Sequence, residues 1–229
     1  ELEKKIPFSR TASGRALWSP ETSVVNPIEI LKKLEFKLNQ LDVELLKGIK
    51  IHKIDSINKN VFIGNNKKIS YEYLFNCAGL NSIEIAKYFD IAENYILIPF
   101  KGLYWELKPD SPFKIKTNLY PVPDINIPFL GVHFTPSCGS SKVTIGPTAT
   151  LALGKENYEG LKNIEIAKLF RNISIISYQY LKNNNGFRNY VHEQLPLGFE
   201  PFLINSAKKL IPNIKKEHIS FSKKVGIRS

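Results

Sequence analysis

Chemistry in this chain has to be sought in a few polar side chains set among apolar ones. The stretch YPVPDINIPFLGVHFTP, Tyr120 to Pro136, places a tyrosine and a histidine in a run whose four prolines in seventeen residues each remove a backbone donor. Such a run reads as strand edge and turns, with Ile127, Phe129, Leu130, Val132 and Phe134 as its apolar content. His52, His133, His192 and His218 stand apart from one another and from acidic neighbours at ligand spacing, which argues against a metal centre. In FNCAGL, the small residues Ala78 and Gly79 let another group approach the backbone. Two readings fit them: a strand end turning into a helix, or a crevice beside a nucleotide cofactor at the carboxyl end of a sheet strand. In PFKGLYWEL the pair Lys101-Gly102 interrupts a strand, either as a plain bulge or as a device that aims a side chain at a ligand. The sequence contains no G-x-x-x-x-G-K-[ST], no H-E-x-x-H, no G-x-S-x-G, and none of its thirteen glycines is arranged as G-x-G-x-x-G.

The elements that must position these residues follow from periodicity. Asn26 caps a helix with Pro27 at its first position, and Ile28, Leu31, Leu34, Leu38 and Leu41 recur at helical spacing, which predicts one buried face. Ile49 and Ile51 alternate, with Ile54 following three residues on, NVFIGNNKKI turns as a hairpin around Gly64-Asn65-Asn66, and YLFNCAG reads as a buried strand closing on glycine. A short helix over 82–89 precedes four strands, 96–107, 116–122, 129–134 and 142–146, joined by turns such as KPDSPF and SCGSS; these predict an antiparallel sheet. Helices are expected over 164–181, stopped by NNNG, and over 200–210. Mixed α/β structure followed by an antiparallel sheet with helices predicts two interleaved lobes.

Composition bounds the rest. The chain has 229 residues, 43% of them hydrophobic, enough for a substantial core. Cys77 and Cys138 are far apart, which argues against a disulfide framework and suits a reducing compartment. The apolar runs are too short to span a bilayer. A formal charge of +11 invites a nucleic-acid reading, but the lysines sit in scattered pairs, and no RNP, KH or zinc-knuckle pattern accompanies them. A solvated basic surface is expected instead. The sequence starts at Glu1 and contains no methionine, which suggests an internal piece of a longer protein.

Six ordered segments, ALWSPETSVVNP, FNCAGLNS, IPFKGLYWELKP, YPVPDINIPFLGVHFTP, VTIGPTATLALGKENY and the final VGIRS, together resemble the L-2-hydroxyglutarate dehydrogenase/oxidase family of FAD-dependent oxidoreductases, within the D-amino-acid-oxidase-like superfamily. The resemblance runs across nearly the whole chain. It implies α/β plus α+β architecture: an incomplete FAD-binding Rossmann-like lobe over 1–95, whose glycine-rich unit would lie upstream, an antiparallel-sheet substrate lobe over 96–220, and a return strand to the FAD lobe over 221–229.

The resemblance also implies FAD as cofactor, a 2-hydroxy acid as substrate and a quinone or oxygen as electron acceptor, in the cytoplasm or peripheral to the inner membrane. An amino-acid or amine oxidase of the same superfamily, or a non-enzymatic basic nucleic-acid-binding module, are the alternatives. Under the resemblance the substrate sheet roofs the flavin. His133 is then the candidate catalytic group, and Lys101, Tyr104, Tyr120 and Arg228 are candidates for holding the substrate. Ile51, Ala78, Gly79, Gly146 and Gly226 are candidates for lining the cofactor. Lys101 and Arg228 are the best local cations for a dicarboxylate, although lysine stands at 101 where the family motif carries arginine.

Overall fold

The computed structural model describes residues 2–11, 13–65, 67–123 and 130–228. Its contacts divide the chain into two compact units, Glu1–Asn26 with Pro99–Arg228, and Pro27–Ile98. In chain order the helices are α1 (Leu2–Lys5), α2 (Pro27–Gln40), α3 (Ser82–Ala86), α4 (Ile166–Lys182), α5 (Phe187–Gln194) and α6 (Glu200–Ala207). The strands are β1 (Ile51–Asp55), β2 (Asn60–Ile63), β3 (Lys67–Ser70), β4 (Phe100–Leu107), β5 (His133–Pro136), β6 (Val143–Gly146), β7 (Thr150–Leu151) and β8 (Ile219–Arg228). No helix among the described residues is long and apolar enough to cross a membrane.

The unit Pro27–Ile98 holds α2, α3 and the antiparallel sheet β1-β2-β3. As the sequence predicts, β2 and β3 form a hairpin at Gly64, which takes the positive φ of +50° that a tight turn requires; Asn66, the third residue of the predicted turn, lies outside the described residues. Pro27 opens α2, but the expected buried face differs: Leu31 and Leu34 are 65% and 52% exposed, and no residue of this helix is buried. The unit's two buried apolar side chains, Ile54 and Ile63, both belong to the small sheet, so the helical stripe is not part of that core. The expected strand at YLFNCAG is also not formed. Phe75 is 87% exposed, and Asn76 uses its side chain on the Ala78 amide and the Ser82 carbonyl, local bonds that take the place of a ladder.

The larger unit is built on a five-stranded antiparallel sheet, in which β4 pairs β6 and β7 on one side and β8 on the other, while β5 extends the sheet beyond β6. Trp105 and Leu107 of β4 alternate into the core with Leu103 beside them, joined by Phe134 from β5 and Ile145 from β6. Leu203, Ile204 and Ala207 of α6, followed by Leu210, Ile211 and Ile214, close the other side of that core. Asn183, Asn185 and Gly186 all adopt positive φ, the backbone form that ends α4 at the predicted NNNG.

Four expectations need correction here. Residues 1–26 pack with the larger unit, because Ile6 is 2% exposed within its core and the Arg10 amide donates to the Leu210 carbonyl at 2.8 Å. The final strand begins at Ile219 and pairs along β4 from Leu107 to Phe100, within the main sheet. The strand expected over 116–122 shrinks to a single bridge, Leu119 with Phe134, since Pro121 and Pro123 have no amide hydrogens to continue it. Most of the strand predicted over 129–134 is replaced by β5, and residue 129 falls outside the described residues.

Candidate active site

Strand alternation gives the main sheet one face packed on the core and one face turned away from it. Phe134 and Ile145 are paired and buried in the core, so the adjoining pair, His133 with Gly146, points the other way. Tyr104, between the core residues Leu103 and Trp105, shares that outer face. A methyl group built on Gly146 would lie 3.2 Å from its ring and 2.9 Å from the Leu103 carbonyl oxygen. Gly146 holds φ at +139°, a region that only glycine occupies easily, so two independent constraints require glycine there.

The outer face continues onto β8. Gly102 pairs with Gly226 and Phe100 with Arg228, which puts Arg228 and Tyr104 on the same side. Pro147 covers Gly102, its Cβ 3.0 Å from where a methyl would stand. Thr148, 1% exposed, fixes that turn: its amide donates to the Leu103 carbonyl at 3.0 Å, and its Oγ1 accepts from the Leu103 amide at 3.1 Å. Over Gly226 a methyl would meet nothing within 4 Å.

Tyr120 completes this wall from the proline-rich segment. Its ring centroid is 4.4 Å from that of His133, at an interplanar angle of 31°. His133 Nδ1 lies 2.8 Å from the Gly131 carbonyl oxygen. A carbonyl only accepts, so Nδ1 carries the hydrogen and Nε2 keeps its lone pair. Burial lowers the His133 pKa below the usual imidazole value and the Arg228 and Lys224 cations push the same way, while the Gly131 bond opposes them. The ring is therefore neutral at pH 7, with a proton acceptor at Nε2.

The phenols respond to the same field. Burial raises the Tyr104 pKa, tempered by Arg228 and reinforced by Tyr120. Tyr190, on α5, is pushed up to about 12 by burial, with Arg228 again opposing. Arg228 is itself lowered by burial, and Tyr104 and Tyr190 raise it, yet a guanidinium remains charged at any physiological pH. Arg228 is thus electrostatically coupled to Tyr104, Tyr190 and His133, donors and an acceptor suited to an anionic ligand bearing an acidic hydrogen.

The structure brings Tyr104, Tyr120, His133, Gly146, Gly226 and Arg228 onto one face. Lys101 does not join them. It shares the face of Leu103, and its Nζ donates to Asn157 Oδ1 at 2.7 Å. Asn157 is fully buried; its Oδ1 also accepts from the Leu153 amide at 3.4 Å, and its Nδ2 donates to the Gly160 and Lys162 carbonyls at 2.9 and 2.7 Å. Every hydrogen-bonding capacity of that amide is used, so Lys101 works as a tether for the loop after β7. Ile51, Ala78 and Gly79 lie in the unit Pro27–Ile98, where Gly79 opens a turn with φ +52° and unobstructed space above it. Two residues of the face escape sequence reasoning. Tyr190 has no local signal, and Lys224, whose Nζ lies 4.8 Å from the Tyr104 ring centroid, is hidden in one of many lysine pairs.

A sheet whose outer face collects one arginine, several phenols and a neutral imidazole around bare backbone has the chemistry to orient small organic acids. The chain belongs to the FAD dependent oxidoreductase (DAO) family, whose model matches residues 1–229. Among curated proteins it is similar to the mitochondrial L-2-hydroxyglutarate dehydrogenase of Homo sapiens, 33% identical over 171 residues covering 69% of this chain and 36% of the relative. The mitochondrial enzyme of the same name from Nematostella vectensis is 39% identical over 124 residues, covering 52% of this chain and 27% of the relative. The L-2-hydroxyglutarate dehydrogenase of Indibacter alkaliphilus is 30% identical over 228 residues, covering 96% of this chain and 54% of the relative. The chain thus spans between about a quarter and about half of the length of these relatives.

Proposed function

We propose that this chain supplies the substrate-facing sheet of an FAD-dependent dehydrogenase that oxidises a 2-hydroxy acid, with L-2-hydroxyglutarate as the substrate. The observation that carries the reading is Arg228, Tyr104 and His133 on one sheet face, with Tyr190 of α5 within reach of the Arg228 charge. On this reading the larger unit is the substrate lobe and Pro27–Ile98 belongs to the FAD-binding, Rossmann-like lobe, with Ile51, Ala78 and Gly79 on the cofactor side.

The residues present fit the cofactor in one respect that can be tested on the geometry. The open backbone at Gly226, across β4 from the close-packed Gly146, leaves room for a planar ring where a side chain would stand in its way. FAD, when bound, supplies the hydride acceptor for the substrate's C2–H bond. Arg228 holds the carboxylate adjacent to C2 through paired charge-assisted hydrogen bonds. Tyr104 and Tyr120 donate to the substrate's oxygens, and burial keeps the Tyr104 phenol protonated and able to do so. His133 Nε2 accepts the proton of the 2-hydroxyl, which the depressed pKa and the Gly131 bond leave it free to do. A quinone or oxygen takes the electrons onward. A net charge of +11 suits peripheral contact with an anionic lipid surface, where a quinone would be met.

The test is Arg228→Met in the full-length protein. Removing a charged partner of a carboxylate costs about 2–4 kcal/mol, so kcat/KM for L-2-hydroxyglutarate should fall by about 30- to 1,000-fold. Activity within threefold of wild type, or a wild-type flavin that no 2-hydroxy acid reduces, refutes the reading.

A further inference from the structure

The outer sheet face carries a second cation that the reaction outlined above leaves without a task. Between the pairs Leu103 with Val225 and Trp105 with Phe221, β4 contributes Tyr104 alone, whereas β8 contributes Ser222, Lys223 and Lys224. The extra residues form a bulge, a device that turns a side chain away from the direction regular alternation would give it. Its shape is fixed from within. Ser222 is 3% exposed; its Oγ donates to Glu106 Oε1 at 2.6 Å and accepts from the Lys224 amide at 3.1 Å. With that hydroxyl engaged on both sides, the backbone at Lys224 has little freedom to swing.

The consequence is where the ammonium group goes. Lys224 Nζ stands over the Tyr104 ring, 4.8 Å from its centroid, inside the range in which a ring face attracts a cation. Its neighbour Lys223 is turned elsewhere, close enough to Glu159 to lower that carboxyl's pKa. Lys224 and Arg228 both act on His133, and Gly226 lies between them in sequence, with open space above its backbone. Residues four apart on an extended strand are separated by about 13 Å. Two long basic side chains based that far apart, each able to lean inward, span a short ligand charged at both ends.

We propose that Lys224 is a specificity-determining residue that receives the distal anionic group of the substrate, so that the site selects 2-hydroxy acids with two carboxylates over those with one. This rests on the assignment of Arg228 to the carboxylate beside the reacting carbon. Lys101, which the sequence offers as the second cation, is committed to Asn157 on the opposite face, whereas strand alternation puts Lys224 on the face of Gly226 and Arg228.

The experiment uses the full-length protein and two pairs of probes of equal chain length. One pair, 2-oxoglutarate and 2-oxopentanoate, is measured by calorimetric binding; the other, L-2-hydroxyglutarate and L-2-hydroxypentanoate, by steady-state kinetics. An ion pair at a partly exposed site sets the expected loss at about fivefold. Lys224→Gln should weaken 2-oxoglutarate binding by that factor and lower kcat/KM for the dicarboxylate mainly through KM. Constants for the monocarboxylate probes should stay within about twofold of wild type, on the same ion-pair scale. Lys223→Gln should move neither pair. An equal loss for both probes, or no loss for either, overturns the proposal. If Lys224→Gln is silent while Arg228→Met abolishes binding of both oxo acids, only the role of Lys224 falls. If Arg228→Met is silent as well, the underlying reading of the site fails and takes this one with it.

Discussion

Replacing Gly146 by alanine isolates the packing on which the outer face depends. The new methyl would lie 2.9 Å from the Leu103 carbonyl oxygen and 3.2 Å from Tyr104 Cδ1. The carbonyl cannot retreat cheaply, because it accepts the Thr148 amide at 3.0 Å. Forcing a methyl into such a contact costs about 1–3 kcal/mol, and holding alanine near φ +139° adds about 1–3 kcal/mol. The expected destabilisation is therefore about 2–6 kcal/mol. With a urea dependence of about 1–3 kcal/mol per molar, the midpoint of the main-unit transition should drop by about 1 M or more. Tyr104 is the soft side of the clash, so its ring should be displaced and substrate KM should rise in the surviving folded fraction. Gly226→Ala is the matched control. Its methyl meets nothing within 4 Å, so stability should be unchanged or slightly raised, while flavin retention or ligand affinity should fall. A Gly146→Ala midpoint within about 0.3 M of wild type, on the same urea scale, would refute the packing argument.

Other outcomes follow from the same geometry. Lys101→Met should destabilise the protein by about 1–3 kcal/mol, because buried Asn157 loses a donor, with substrate KM unchanged; urea melts and kinetics check both halves. His133 has a folded pKa below its unfolded value of 6.5. The unfolded chain therefore binds the extra proton first as pH falls, and stability contributed above 6.5 is lost between there and the lower folded value. His133→Gln should flatten that part of a pH series of urea midpoints and abolish most activity at every pH. Tyr190, with its phenol pushed up to about 12, should ionise after the ordinary tyrosines in an ultraviolet titration, and Tyr190→Phe should remove that last step.

Periodic and turn-bounded segments were legible in the sequence. Pro27 opens α2, the hairpin at Gly64 forms, β4 and β6 lie within or at their predicted spans, and Asn183 with Gly186 ends α4. What sequence could not supply was the partner of each apolar face. The stripe of Leu31 and Leu34 has helical spacing whether or not anything covers it, and FNCAG has strand composition whether or not a strand lies alongside. The site shows the same division. Residues put forward by the family resemblance, Gly146 and Arg228 among them, do share the outer face with Tyr120 and His133. Lys101 was put forward with them and sits on the other face, because its side depends on strand parity relative to Leu103, which no local pattern declares. The setting of Lys224 is held by the bulged Ser222, whose bond to Glu106 links residues 116 positions apart.

That separation bears on how the protein comes to fold. On the proposed reading β4 and β8 form two halves of the acid-facing surface, yet most of the larger unit lies between them in the chain. The hairpin of β5 and β6 can close early, since its strands are near neighbours, whereas pairing β8 with β4 must overcome the closure entropy of a long loop. In pulse-labelled refolding, the amides of β8 should gain protection after those of β6, and simultaneous protection of both would contradict this order. A nascent chain on the ribosome accordingly has no anion-holding face until residue 228 has emerged, so this surface is among the last parts of the sheet to come into being.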